Sequence, residues 1–264
     1  GKVLLFAPDG TLLDKKAFQT PLYNDQVDTK ALYDGLCGAI GALTADMDGT
    51  ASQITCVSVS GHGNGLYALD EAGALPFGFS SMLTQQADRL PAQETLLPIV
   101  LQSRWPGQPL SILAWLKQTK PDLYYRMKKN LFCKDLLRYF MTGSVCTDPT
   151  DASAAGLLNA QTGQYDRALL HLYDLDDAWE KLPPIRGSAE GAGTVSEEFH
   201  KKTGLPAGIP VLGGLFDVNS CMLGAGAVDA SRFSMTAGTW GINAIPSAAP
   251  VRSESITQCC RFYG

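Results

Sequence analysis

"GGLFDVNSCMLGAG", Gly213 to Gly226, decides how this chain is read. The residues leading into it, "GIPVLGG", read as a short buried strand: Ile209, Val211 and Leu212 are apolar and Pro210 lies near the start. Gly213 and Gly214 allow a sharp turn or a close approach of another group to the backbone. After Asp217, the residues Val218, Cys221, Met222 and Ala225 recur at helical spacing, with one buried stripe. Asp217 therefore belongs at the carboxyl end of a strand and near the amino end of a helix. Open α/β sheets bind ligands at such strand ends. A helix cap is the plainer reading of the stretch by itself, because Asp is favoured there. The two readings are compatible, since the positive helix end keeps a carboxylate ionised and able to accept a proton.

With 264 residues the chain has room for one large domain or two small ones. A composition of 45% hydrophobic and 18% charged residues is that of an ordinary globular protein with ample core. The net charge of −5 argues against nucleic acid and against an anionic membrane as partner. No apolar run approaches the roughly 20 residues of a membrane span, and "GKVLLFAPDG" is too briefly apolar for a signal peptide. The cysteines, Cys37, Cys56, Cys133, Cys146, Cys221, Cys259 and Cys260, are odd in number and unpatterned, which predicts reduced thiols in the cytoplasm. None forms a CxxC pair, so no zinc site is expected.

Working outward, "KVLLFAPDGTLLDKKAFQT" predicts two strands joined at "PDG". Leu32, Leu36, Ile40 and Leu43 predict an amphipathic helix. "QITCVSVSGHGNGLYALDEAGALP" reads as strand, glycine-rich loop, strand and turn. "PLSILAWLKQTKPDLYYRMKKNLFCKDLLRYFMTG" reads as consecutive helices, with Leu110, Leu113 and Leu116 on one face, Pro121 at a start and Gly143 at a stop. "TDPTDASAAGLLNAQTGQYD" reads as a loop, followed by an irregular stretch and a short helix through Glu197 and Phe199. "SRFSMTAGTWGINAIP" returns to strands around a glycine turn. Strands, then helices, then strands again predict an α/β fold with a mixed sheet.

Two loops stand out chemically. "SGHGNG", Ser60 to Gly65, sets His62 and Asn64 among glycines, so polar side chains and bare backbone can converge on a polyhydroxyl ligand. It is not a dinucleotide fingerprint, and a flexible surface turn is the competing reading. "AGTWG", Ala237 to Gly241, flanks Thr239 with glycines whose N–H groups could cradle a phosphate; a tight hairpin turn is favoured over that in isolation. Lys134, Asp135, Asp148 and Asp151 have no metal-box spacing and are expected to be surface ion pairs and loop caps. His171 and His200 are isolated and read as structural or surface residues.

The pieces "SVSGHGNGLYALDEAG", "RWPGQPLSILAWLKQTKPDLY", "KDLLRYFMTG", "TDPTDAS", "GTVSEEFHKKTGLPAGIPVLGGLFD" and "MTAGTWG" occur in an order that resembles the FGGY family of carbohydrate kinases. They span most of the chain; no single one is decisive, and their order carries the likeness. "PLSILAWLK", "GGLFDV" and "GTW" look most like bacterial L-xylulose kinases, with xylulose, ribulose and erythritol kinases as near competitors. The resemblance implies a ribonuclease H-like, actin-like ATPase domain, a mixed sheet flanked by helices. It implies transfer of phosphate from ATP, with Mg²⁺, to a hydroxyl of a ketopentose such as xylulose, or of a polyol. Asp217 matches the family's catalytic base. His62, Gly63 and Asn64 fall on its sugar loop and Trp105 in its substrate region. Gly238 and Thr239 match its second phosphate loop. No protein-held metal is expected; a homodimer is compatible with the reading.

The departures shape the domain expectation. The family's first phosphate loop, an Asp-Gly-Thr-rich turn, belongs just before Gly1, and its second domain continues far beyond Gly264. Residues 1–229 are thus expected to be the sugar-binding domain and 230–264 the start of the nucleotide domain, a fragment inactive by itself. Where the family has W-x-D-x-R, this chain has "SSMLTQQAD", which leaves the sugar open. A sugar-binding module without catalysis is the reading from another class.

Overall fold

In the computed structural model, residues 1–20, 22–82, 90–237, 241–253 and 255–262 are described. The chain opens with an antiparallel hairpin, Lys2–Phe6 against Leu12–Ala17, whose turn is closed by Asp9 Oδ1 accepting from the Thr11 N–H at 2.9 Å. Val3 and Leu5 alternate inward while Lys2, Leu4 and Phe6 face outward. Helix Thr29–Ala45 starts at the cap Asp28, which accepts from the Ala31 N–H at 2.9 Å. Its predicted stripe of Leu32, Leu36, Ile40 and Leu43 is buried.

Among the described residues, two apolar clusters are larger than a third around Val27, Tyr67 and Leu131. One gathers Leu110, Leu113 and Leu116 of helix Pro109–Thr119 with Tyr124, Leu169 and Leu170. The other joins Leu36 and Ile40 to Val59, Met141, Phe199 and Val211. The sheet that positions the acid contributes Val59 and Val211 to the second cluster. Gly191–Thr194 pairs antiparallel with Pro210–Leu212. Pro210–Phe216 in turn runs parallel to residues 57–61, through Val57↔Val211 and then Leu215↔Ser60 and Phe216↔Gly61. Between the Val57 and Ser60 pairings, the second strand has one residue more than the first. This bulge falls at Gly213–Gly214. Gly214 has φ +81°, and a Cβ there would stand 2.1 Å from the Val59 carbonyl oxygen, so only glycine fits.

The bulge explains why the predicted strand "QITCVSVS" is short: only Ser60–Gly61 is regular, with an isolated pairing at Val57. A second correction concerns "TDPTDAS". It was expected to be loop but contains the helix Pro149–Ala154, capped by Asp148 with Pro149 in its first turn. Residues 230–262 contribute one antiparallel hairpin, Ser234–Ala237 with Gly241–Ala244. Among the described residues no helix is long and apolar enough to cross a membrane.

Candidate functional site

Asp217 opens the helix Asp217–Gly224 directly after the strand Leu215–Phe216. Phe216 holds the cap position, and Asp217 is the first helical residue. Its Oδ1 accepts the Val218 N–H at 2.8 Å, and its Oδ2 accepts the Gly63 N–H at 2.9 Å. The second bond ties the acid to the glycine loop across 154 residues of sequence. The edge of the Phe216 ring abuts that loop: a Cβ on Gly63 would fall 1.7 Å from Phe216 Cε2. Acid and loop are one packed unit.

Within the loop, Asn64 takes the left-handed conformation at φ 58° and is 5% exposed. Its Oδ1 is buried without a hydrogen-bond partner. A buried amide oxygen left unpaired costs about 1–3 kcal/mol, so this atom is poised for a donor such as a ligand hydroxyl. Half-buried His62 places Nε2 2.6 Å from the Tyr67 hydroxyl. Burial works against the imidazolium, yet the Cys133 sulfur and the Asp217 carboxylate outweigh it and push the His62 pKa up to about 9. A charged ring beside Asp217 gives the loop a donor at neutral pH. Trp105 joins through the backbone: its carbonyl accepts from Gln108 N–H, and the Gly65 N–H donates to the Gly107 carbonyl at 3.1 Å. A Cβ on Gly107 would meet both the Ser81 carbonyl and the Trp105 ring.

The structure thus brings His62, Gly63, Asn64, the Trp105 segment and Asp217 to one place. Gly238 and Thr239 lie outside the described residues, as do residues 83–88 of "SSMLTQQAD". His171 is exposed and pairs with Asp176, and His200 bonds the Leu205 carbonyl; neither reaches the site. The cysteines are free thiols. Among the described residues no group of three or more His, Cys, Asp or Glu could hold a metal ion.

The reading of Lys134, Asp135, Asp148 and Asp151 as surface ion pairs is wrong. Each is at most 2% exposed. Lys134 Nζ lies 2.6 Å from Asp135, 2.9 Å from Asp148 and 3.1 Å from Asp151, and Arg138 adds a 2.9 Å contact to Asp135. Burial opposes the Lys134 charge, but the three carboxylates overcome it and hold the ammonium form. Two cations face three carboxyl groups, one more than they balance. The excess falls on Asp151: burial, reinforced by Asp135 and Asp148 and opposed by Lys134, pushes it up to about 7. The cap half of the expectation does hold, for Asp148 accepts from the Thr150 and Asp151 N–H groups. Sequence reasoning also missed Tyr67, Phe216 and Cys133, which press Gly78, Gly63 and Gly61 from elsewhere in the chain and so left no local signal.

With this geometry in view, the comparisons are specific. The profile described as "FGGY family of carbohydrate kinases, N-terminal domain" matches residues 13–224. A probable L-xylulose kinase of Pasteurella multocida is 35% identical over 194 residues, covering 70% of this chain and 40% of its own length. The L-xylulose/3-keto-L-gulonate kinase of Escherichia coli is 32% identical over 225 residues, covering 81% and 45%. Among solved structures, a xylulose kinase from Rhodospirillum rubrum superposes with TM-score 0.86 at 18% identity, over 96% of this chain and 54% of that one. A Brucella ovis sugar kinase gives 0.84 at 23%, over 92% and 51%. Both structural likenesses speak to the fold, the actin-like ATPase fold of sugar kinases. The chain spans under half the length of the two curated relatives.

Proposed function

The chain belongs to the FGGY family of carbohydrate kinases, and on that premise we propose that it supplies the sugar side of an ATP-dependent kinase acting on a ketopentose such as xylulose. The observation that carries the reading is the Asp217 carboxylate, fixed by the Gly63 N–H at 2.9 Å beside the unpartnered Asn64 oxygen. That arrangement offers an acceptor for a hydroxyl proton next to donors and acceptors for neighbouring hydroxyls.

Phosphoryl transfer has a loose transition state, so positioning and charge dominate over covalent chemistry. His62, Gly63, Asn64 and Trp105 hold the sugar so that one hydroxyl faces Asp217. As that oxygen bonds to the γ-phosphorus, the bond to the bridging oxygen breaks, ADP leaves, and Asp217 takes the proton. Gly238 and Thr239 serve the nucleotide phosphates, residues 1–229 form the sugar domain, and residues 230–264 begin the nucleotide domain. Mg²⁺ bound to the nucleotide would neutralise phosphate charge. Relatives whose names specify L-xylulose support the substrate class, and a cytoplasmic setting fits a nucleotide-using enzyme with free thiols.

The test is ADP release from the longest natural chain that carries this sequence, screened against ketopentoses, pentitols and tetritols. Asp217→Asn is expected to keep sugar affinity and lose about 10²- to 10⁴-fold in turnover. Turnover within a few-fold of the parent would overturn the base assignment.

A further inference from the structure

Asp217 is delivered by a turn with anchors outside the sheet. At the near end of the turn, the buried Arg138 donates Nη1–H to the Gly213 carbonyl at 2.7 Å. At the far end, the Phe216 N–H donates to Thr150 Oγ1 at 2.8 Å. The alternation of the strand explains the second bond. Leu215 N–H goes to the Val59 carbonyl, so the next N–H points to the opposite side, where the helix Pro149–Ala154 packs. Thr150 stands where a further strand's carbonyl would be.

The hydroxyl is fully committed. It donates its one hydrogen to Asp148 Oδ2 at 2.6 Å and accepts from Phe216. Asp148 is itself fixed: Oδ2 also takes Ser188 Oγ–H at 2.7 Å and Oδ1 meets Lys134 at 2.9 Å. A hydroxyl that donates to a carboxylate is polarised into a better acceptor. The chain of contacts runs from the ionic cluster through Thr150 to Phe216. Beyond Phe216 it reaches two partners at once, the Asp217 backbone and the Gly63 loop at the edge of the Phe216 ring.

We propose that Thr150 is a positioning residue for phosphoryl transfer: its hydroxyl transmits the rigidity of the buried ionic cluster to Phe216, and so fixes the Asp217 carboxylate against the Gly63 loop. The inference rests on the reading of Asp217 as base. Thr150 touches no substrate atom; it acts on where the acid stands. Displacements near 1 Å of a reacting group can cost about 10²-fold in rate, so the expected signature is in kcat.

The experiment measures kcat, sugar KM and thermal midpoint for Thr150→Val, Thr150→Ser, Asp217→Asn and the Thr150→Val/Asp217→Asn double variant, in the longest natural chain. Thr150→Val is expected to lower kcat about 10- to 100-fold with KM nearly unchanged, and Thr150→Ser to restore it. In the Asp217→Asn background the Thr150 change should add little, because no acid remains to be placed. Ser188→Ala, which loosens Asp148 but leaves the bond from Thr150 to Phe216 in place, should lower kcat by less than Thr150→Val does. If Thr150→Val does not fold, Thr150→Ala carries the same expectation. Unchanged kcat in the Thr150 variant, failure of Ser to restore it, or an equal further loss in the double variant overturns the positioning role. These outcomes, with Asp217→Asn still impaired, leave the base assignment standing. An Asp217→Asn enzyme at parental turnover removes both.

Discussion

Around Ser60–Gly65 every glycine is pressed by a neighbour from elsewhere in the chain, whereas at Gly241 no described residue comes within 4 Å of where a Cβ would stand. Lys134 N lies 2.8 Å from a Cβ on Gly61, Phe216 Cε2 1.7 Å from one on Gly63, and Phe79 O 2.6 Å from one on Gly65. The hairpin that holds Gly241 leaves Met235 66% and Phe233 63% exposed. Both regions place glycines beside strands. Among the described residues it is the first that Lys134 and Phe216 approach from far along the chain, and that approach turns a bend into a site. Gly61 and Gly63 are required by what packs on them, and Gly65 also by its left-handed φ of 71°.

The contrast can be broken first at its base. Lys134→Met leaves Asp135, Asp148 and Asp151 buried with Arg138 as their remaining cation. Removing one partner of a buried ionic group typically costs about 3–5 kcal/mol, and urea denaturation should register a loss of that size. A loss below about 1 kcal/mol, the range of exposed pairs, would mean that ionic packing does not set the two regions apart.

Next, Gly63→Ala forces the Phe216 ring or the loop to move, and overpacking of this kind typically costs about 1–3 kcal/mol. Gly241→Ala, which meets no described residue, should stay within about 0.5 kcal/mol. Thermal melts of both variants test the comparison directly, and equal effects would dissolve it.

A finer test uses pH. The folded-state pKa of Asp151 is raised from 3.8 to about 7, so the native state holds a proton that the unfolded chain has lost. The stability this group adds is full below pH 3.8 and is lost as pH rises through about 7. One proton is worth at most about 1.4 kcal/mol per pH unit in that window. Asp151→Asn should abolish this part of the slope between pH 5 and 7, measured as the difference between variant and parent denaturation curves. Parallel curves would show that Asp151 is ionised throughout. Asp148 acts in the opposite sense and at lower pH: burial resists its charge, but Lys134, Thr150 and Ser188 hold its carboxyl below the ordinary value.

What could be read in advance follows from where each signal resides. Local periodicity was enough for the helix of Leu32, Leu36, Ile40 and Leu43, since a 3.6-residue stripe needs no partner to be recognised. The placement of Asp217 at a strand end and helix start was equally legible, although Phe216 took the cap position itself. Asp148-Pro149 was a helix-start signal in "TDPTDAS", overlooked because six residues give no periodicity. The burial of Lys134 with Asp148 and Asp151 was not legible at all. Those side chains meet because Lys134, in the first turn of the helix Cys133–Thr142, reaches the cap and first turn of Pro149–Ala154, and charge alone argues for the surface. Nor could the spacing of Val57 and Ser60 foretell that their partner strand carries an extra residue at Gly213–Gly214.

The hydrogen bond between Gly63 N–H and Asp217 has a consequence for how the molecule is born. Its partners are 154 residues apart. At synthesis rates of about 5–20 residues per second, the loop waits roughly 8–30 s for the acid to be made. Throughout that interval the proposed site is incomplete, and no ligand that needs both loop and acid can hold the nascent intermediate together. Ligand can assist only the last step, when the strand Leu215–Phe216 docks beside Ser60–Gly61 and closes a contact of high sequence separation.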